Sequence, residues 1–189
     1  MTSNSTPHKM ASPEQSDPRH DENTKSSVKR FEEVGYFFKP IAKIGNEVSK
    51  LYEQGRASDV HLWSFENVLL SDESIKDLLY LYPKVTKFKH LWGTVPQFYC
   101  WDHPSTTKPG MVIYLLEANS RFECLEGSHS RKDDIGEKGD DYTIHLPGAY
   151  ADSCTKRIFN EVNGGVLFTH PVLGHRIESG RSIIFGTIK

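Results

Sequence analysis

The chain lacks the paired cysteines that indicate a disulfide framework or a zinc site. Its 189 residues include three cysteines, Cys100, Cys124 and Cys154, and none of them belongs to a CxxC pair. An odd number of widely spaced cysteines is typical of reduced thiols inside the cell. The cysteine content therefore argues against a small disulfide-stabilised protein and predicts a cytoplasmic one.

Strong net charge and long apolar runs are also missing. The formal net charge is −2, which argues against the basic surface that nucleic-acid-binding proteins use. No apolar run reaches the roughly 18 residues that a membrane span needs, and residues 1–7 lack the apolar centre of a secretory signal. We therefore expect no nucleic-acid partner and no association with a membrane.

Large apolar side chains are scarce at the start of the chain. Between Met1 and Val28, Met10 is the only one. Such a segment cannot bury enough apolar surface to offset the entropy that it loses on ordering. The sequence predicts a disordered polar tail over residues 1–28 and a single domain over 29–189.

Helical patterns come first in this domain. Apolar residues recur at steps of three and four over about 40–54 and again over 72–82, where Ser71 is the expected N-cap. We therefore expect two N-terminal helices. A strand-like segment over 31–38 is expected before them, and a short helical turn over 85–91 after them.

From residue 95 onward the pattern changes to short apolar stretches separated by Gly, Pro, Asn and Asp, which is typical of β-strands. Two helices followed by several short strands predict a mainly β fold with N-terminal helices, either a jelly roll or a cupin-like barrel. The last strand, Ser182–Ile188, would close this barrel. The expected strands are Val95–Trp101, Met111–Glu117, Arg121–Leu125, Tyr142–Leu146, Gly165–Thr169, Val172–Ile177 and Ser182–Ile188.

The residues suited to chemistry lie in the second half of the chain. A turn, an apolar strand and a loop run from Gly164 to His175 and include His170. Arg181 and Ser182 introduce the last strand. Two further segments stand near strand ends, Gly127-Ser128-His129 and Cys100-Trp101-Asp102.

This arrangement resembles the phytanoyl-CoA dioxygenase-like family of iron(II)/2-oxoglutarate oxygenases, whose fold is a double-stranded β-helix. In that family an HxD motif and a distal histidine hold the iron, and a later arginine binds the 2-oxoglutarate carboxylate. The resemblance covers residues 31–189 and implies Fe(II) and 2-oxoglutarate as cofactors. It implies that His175 is the distal histidine and that Arg181, with Ser182 beside it, binds the cosubstrate.

The chain departs from the family pattern at the HxD motif. No HxD occurs in the barrel, and by spacing its place falls on Cys100-Trp101-Asp102. Alternation along a strand places Cys100 and Asp102 on one face, so we expect Asp102, His175 and Cys100 as metal ligands. Arg181 follows His175 by six residues and His170 by eleven, which makes His170 a rival for the role of site histidine.

Three functions remain open from the sequence. The favoured one is an oxygenase-like enzyme acting on a small, specialised-metabolite-type substrate, with the Ser130–Asp141 loop as a mobile lid. The second is a metal-independent isomerase, cyclase or dehydratase in which His175 or His170 is the general acid or base. The third is a non-catalytic barrel that binds a small molecule, because a fold alone does not establish chemistry.

Each candidate also has an ordinary structural explanation. Cys100 suits a core as a small apolar residue, and His129 can satisfy backbone groups at a strand end. Arg181 can pair with Glu178. His145, which alternates with Thr143, is a reserve ligand that we expect to face the barrel lumen.

Overall fold

The computed structural model describes residues 26–92, 95–106, 110–139 and 143–188. Most of the predicted tail lies outside these ranges, and no described helix is long and apolar enough to cross a membrane. The helices are α1 (Ser27–Val34), α2 (Ala42–Glu53), α3 (Glu66–Leu69), α4 (Glu73–Leu81) and α5 (Gly148–Ser153). The strands are β1 (Tyr36–Pro40), β2 (Lys84–Trp92), β3 (Tyr99–Cys100), β4 (Gly110–Leu116), β5 (Ser120–Leu125), β6 (Glu137–Lys138), β7 (Ile144–His145), β8 (Lys156–Glu161), β9 (Gly165–Thr169), β10 (His175–Ser179) and β11 (Ser182–Ile188).

Two antiparallel sheets contain these strands. One sheet has the order β1-β9-β4-β11-β2 and the other has the order β6-β7-β3-β10-β5-β8. The chain alternates between the sheets from β2 to β5 and again from β8 to β11. Neighbouring strands in each sheet are therefore distant in sequence, except for β6 and β7, which are consecutive. The mainly β architecture preceded by helices agrees with the predicted fold class.

Strand β4 shows how the layers pack, because it is buried at all seven positions. Met111, Ile113 and Leu115 point outward and pack against the helices. Val112 and Tyr114 point inward, with Leu116, and pack against the other sheet. Since both faces of the strand are covered, its sequence is apolar throughout instead of alternating. We call the space between the two sheets the lumen.

Strand β11 keeps its predicted bounds, but it has neighbours on both sides. It pairs with β4 along seven residues, from Ser182 opposite Leu116 to Ile188 opposite Gly110. On its other side it pairs with β2. The strand expected to close the barrel therefore lies inside its sheet, and this position explains why Ile183, Ile184 and Phe185 are all buried.

The helices begin and end where local side-chain chemistry allows. At α1, the Ser26 hydroxyl accepts a hydrogen bond from the Lys29 N–H, and Gly35 ends the helix with a φ of 86°, a left-handed conformation that glycine adopts readily. At α4 the cap is Asp72 and not the predicted Ser71. The Asp72 carboxylate accepts hydrogen bonds from the backbone of Ser74 and Ile75.

Several local expectations were wrong. Strand β3 covers only two residues of the expected Val95–Trp101, β7 covers two of Tyr142–Leu146, and β10 begins at His175 and not at Val172. Residues 85–91, expected as a helical turn, lie in β2, because pairing with β11 outweighs the three-residue spacing. The segment 31–38 is divided between α1 and β1. Strand β8 was not expected, since only one of its faces is half-buried while the other is exposed.

The predicted lid loop contains further structure. Within Ser130–Asp141, β6 pairs with β7. Residues 140–142, at the end of this loop, lie outside the described ranges.

We expect Gly45→Ala to destabilise the fold. Gly45 lies in α2, and a Cβ atom there would overlap the backbone carbonyl of Asn163 in the turn before β9. Such overpacking lowers the free energy of unfolding by about 1–3 kcal/mol. The loss is measurable as a lower midpoint in urea denaturation. The control is Gly148→Ala, because a Cβ at Gly148 meets no atom within 4 Å. Equal midpoints for the two variants would contradict the close helix–turn packing.

Candidate functional site

Four buried side chains meet in the lumen at the start of β10. His175 stands opposite Tyr99 of β3 in the antiparallel register, so the two side chains lie on the same face. Trp101, two residues further, shares that face by alternation, and Tyr114 approaches from β4. The ring centroid of His175 lies 4.5 Å from that of Tyr99 and 5.3 Å from that of Tyr114.

A continuous chain of hydrogen bonds runs through this aromatic cluster of Tyr99, Trp101, Tyr114 and His175. Trp101 Nε1 donates to the Tyr114 hydroxyl at 2.5 Å, and this hydroxyl is bonded to His175 Nε2. His175 Nδ1 lies 2.8 Å from the Leu173 carbonyl oxygen. Because a carbonyl only accepts, Nδ1 carries the proton, and Nε2 accepts from Tyr114.

Burial controls the charge state of the cluster. His175 is 1% exposed, and the loss of hydration lowers its pKa to about 4. The pKa of Tyr114 is raised well above its usual value, chiefly by the same desolvation. Both groups are therefore neutral at pH 7, as the hydrogen-bond chain requires.

A second pair of histidines lies nearer the surface, in the loops after β5 and β9. The rings of His129 and His170 are 5.5 Å apart. His170 Nδ1 accepts a hydrogen bond from the Val172 N–H at 3.2 Å, so its proton resides on Nε2. Desolvation, with smaller effects of His129 and Arg131, lowers the pKa of His170 to about 4. His129 Nε2 lies 3.0 Å from the carbonyl oxygen of Glu32 in α1.

Arg131 holds the loop after β5 against the rest of the barrel. Its guanidinium donates to the Ser128 carbonyl at 3.1 Å, to the Val172 carbonyl and to the Cys100 sulfur at 3.0 Å. The first residues of the segment expected to be a lid are thus anchored to the protein. Sequence reasoning did not single out Arg131, since its partners come from distant parts of the chain.

The structure does not bring the expected metal ligands together. Cys100 follows Tyr99 in the same strand and therefore points away from the lumen, into a separate apolar cluster with Phe98 and Ile144. Burial raises the pKa of its thiol. Asp102 Oδ1 accepts hydrogen bonds from the His103 N–H at 2.9 Å and from the Thr106 hydroxyl at 2.5 Å. The expectation erred by one residue, because Tyr99 and Trp101 occupy the face of His175.

The expected cosubstrate arginine has a partner within the chain. Arg181 Nε and Nη2 lie 2.8 Å and 2.7 Å from Glu117 Oε2, and its guanidinium lies over the Tyr52 ring at 4.5 Å. Ser182 is buried, and its carbonyl accepts a hydrogen bond from the Tyr52 hydroxyl. The alternative partner, Glu178, pairs instead with arginines of the other sheet.

The reserve ligand His145 is half-buried and stands opposite Tyr99 in the register, on the face that Tyr99 shares with His175. Across the four described ranges, no group of three or more His, Cys, Asp or Glu side chains is placed to hold a metal ion.

Comparisons with known proteins show the fold. No protein family and no curated protein matches the chain. Among solved structures, the non-heme α-ketoglutarate-dependent epimerase SnoN from nogalamycin biosynthesis has a TM-score of 0.51 at 15% identity, over 87% of this chain and 79% of that one. SnoN in complex with Fe³⁺, α-ketoglutarate and nogalamycin RO has a TM-score of 0.49 at 14% identity, over 90% of this chain and 84% of that one.

The carbocyclase SnoK, also α-ketoglutarate-dependent, has a TM-score of 0.49 at 14% identity, over 88% of this chain and 84% of that one. The SnoN structure with the TM-score of 0.51 confirms the expected oxygenase-like fold, while the phytanoyl-CoA dioxygenase family itself is not confirmed.

The residues around His175 do not fit an iron ion. An iron site of this class needs a second histidine and a carboxylate beside the first. Here the side chains on the face of His175 belong to Tyr99, Trp101 and Tyr114 and to Cys124, which stands opposite His175 on β5. The lone pair on His175 Nε2 accepts a hydrogen bond from Tyr114. Burial raises the pKa of the Cys124 thiol well above its usual value, and this neutral thiol is neither the second histidine nor the carboxylate. Neither an indole nor a neutral, deeply buried phenol replaces the missing ligands.

We expect Tyr114→Phe to lower stability by about 1–3 kcal/mol, because it leaves buried His175 Nε2 and Trp101 Nε1 without their shared partner. Urea denaturation followed by tryptophan fluorescence measures this loss. Tyr80→Phe is the matched control, because Tyr80 is 67% exposed. A Tyr114→Phe variant as stable as the control would show that the hydrogen-bond chain contributes nothing.

Stability should decrease as the pH falls from about 6.5 to about 4. The pKa values of His170 and His175 are lowered to about 4 in the folded chain, whereas an unfolded histidine titrates near 6.5. In this window the unfolded chain binds more protons, so acid favours unfolding. Urea midpoints measured between pH 7 and pH 5 test this. His170→Asn should reduce the slope, and His61→Asn, at an exposed position, should leave it unchanged.

Proposed function

We propose that this chain is a double-stranded β-helix protein that acts on a small organic molecule without an iron centre. The observation that carries the proposal is the aromatic cluster. In the lumen, the Tyr114 hydroxyl and the Leu173 carbonyl satisfy the two nitrogens of His175, and the rings of Tyr99 and Trp101 pack in the same cluster. Because these side chains do not fit an iron ion, the chemistry that we propose is proton transfer.

The strand order supports the double-stranded β-helix. Eight strands form two four-stranded layers, β2-β11-β4-β9 and β3-β10-β5-β8. Each layer alternates strands from the first and the second half of the barrel, which is the pattern of a jelly roll. The remaining strands, β1, β6 and β7, extend these layers at their edges.

His170 is the residue that we propose contacts the bound molecule. It is half-buried in the loop between β9 and β10, whereas His175 is fully buried in the lumen. With Nδ1 engaged by the Val172 N–H, neutral His170 presents Nε2–H. A neutral imidazole that donates from Nε2 polarises a substrate carbonyl, which promotes isomerisation, cyclisation or dehydration by proton transfer.

A non-catalytic barrel that binds a small molecule is the second candidate. It is favoured by the burial of Tyr99, Tyr114 and His175. These side chains fill the part of the lumen where an oxygenase would need room for its reacting groups. In this case the molecule would also be held near His170, but it would leave unchanged. An oxygenase would require the Tyr114 hydroxyl to release His175 Nε2.

We expect the purified protein to contain no stoichiometric iron and to form no succinate from 2-oxoglutarate. Metal analysis after incubation with Fe(II), and succinate quantification under air, measure these two quantities. One iron per chain together with succinate formation would overturn the metal-independent function and restore the oxygenase.

We expect at least one compound in a panel of small ketones and lactones to raise the melting temperature of the protein. The protein should also convert this compound in the presence of excess chelator. His170→Asn should abolish turnover, because it removes the Nε2–H donor, while His61→Asn retains it. Binding without turnover in the parent chain would select the second candidate. Full activity of His170→Asn would rule out the role of His170.

A further inference from the structure

Strand β8 presents an open edge of the six-stranded sheet, and it differs from the other sheet edges. Among the described residues, β8 pairs along all six positions with β5 in a regular register, and no strand pairs with its other side. The remaining edges are interrupted or short. Strand β1 ends at Pro40, β2 carries two register shifts, and β6 has two residues. Natural proteins protect sheet edges by such devices and by charged side chains. Strand β8 has no proline, no register shift and six residues, and its charged side chains, Lys156, Arg157 and Glu161, are of both signs.

The backbone groups of β8 alternate between the two sides. The Thr155 carbonyl accepts a hydrogen bond from Glu126 N–H at 2.9 Å, so Thr155 and, by alternation, Arg157, Phe159 and Glu161 direct their backbone groups toward β5. Lys156, Ile158 and Asn160 direct their N–H and C=O groups outward. An approaching antiparallel strand therefore finds a complete set of donors and acceptors.

We propose that β8 is a dimerisation edge, at which the β8 strands of two copies of this chain pair antiparallel about a two-fold axis at Phe159. In this register Ile158 stands opposite Asn160 of the second copy, and both have outward backbone groups. Arg157 stands opposite Glu161 of the second copy. Symmetry repeats this pair, so two opposite charges lie across the interface on each side of the axis.

Exposed apolar side chains also lie at the β8 edge. Two of the large apolar side chains that the described residues expose, Ile158 at 47% and Val162 at 71%, lie on or directly after β8. Ile158 lies on the exposed face of β8, and Val162 lies in the turn that follows the strand. In the proposed register, Ile158 is the diagonal neighbour of both Ile158 and Val162 of the second copy, within reach of side-chain contact. Dimerisation would therefore cover both apolar side chains.

Sedimentation equilibrium of the full chain tests this dimer. We expect a monomer–dimer equilibrium that Arg157→Glu weakens about tenfold, because it places two carboxylates opposite each other at two symmetric positions. Glu161→Arg should weaken it similarly. The double variant Arg157→Glu/Glu161→Arg restores both charge pairs and should return the dissociation constant to within about threefold of the parent.

Tyr80→Lys is the control for general loss of apolar surface, since Tyr80 is exposed on α4, away from β8; it should leave the dissociation constant unchanged. Circular dichroism of each variant verifies that it is folded. A parent chain that stays monomeric at every concentration overturns the proposal. So does a dimer that the two single charge reversals leave intact, or that the double variant fails to restore. These results are independent of iron, of 2-oxoglutarate and of His170.

Discussion

The structure of the lumen depends on the hydrogen-bond chain from Trp101 through Tyr114 to His175 and the Leu173 carbonyl. In a space that excludes water, each polar atom needs a partner from the protein, and an unmet donor or acceptor costs about 1–3 kcal/mol. This requirement sets the tautomer of His175 and the position of the Tyr114 hydroxyl. It also joins β3, β4 and β10, which come from both sheets, at one point.

The same requirement explains the end of the chain. Strand β11 is flanked by β4 and β2 and has apolar neighbours on both faces, so the first charged residue before it must remain outside the core. Arg181 does so by lying over Tyr52 and binding Glu117, which follows β4. This ion pair holds the loop between β4 and β5 against β11.

Much of the fold could be predicted from the sequence, and the reasons are local. Strands β4, β9 and β11 are apolar at nearly every position and bounded by turn residues, so both their type and their limits are encoded nearby. Strands β2 and β8 are not, because they are polar enough to resemble other structures and become strands only by pairing with β11 and β5. Such pairings link residues far apart in the chain, and a single sequence contains no direct record of them.

The site shows a different limit. His175 was expected within the strand Val172–Ile177, and it lies buried at the start of β10. Its partners were misplaced by one residue, because alternation identifies which residues share a face but not which of two faces is the lumen. The paired register of Tyr99 with His175 decides this. Once the phase is known, Tyr99 and Trp101 are the residues that share the face of His175.

The large aromatic side chains around His175 have a physical explanation. An unfilled void destabilises a core through lost contacts and unmet hydrogen bonds. The indole of Trp101 and the phenols of Tyr99 and Tyr114 fill the space around His175. The Tyr114 hydroxyl satisfies His175 Nε2 and itself accepts a hydrogen bond from the Trp101 N–H. The lumen at this point is therefore a packed core, whereas His129 and His170 lie in loops nearer the surface.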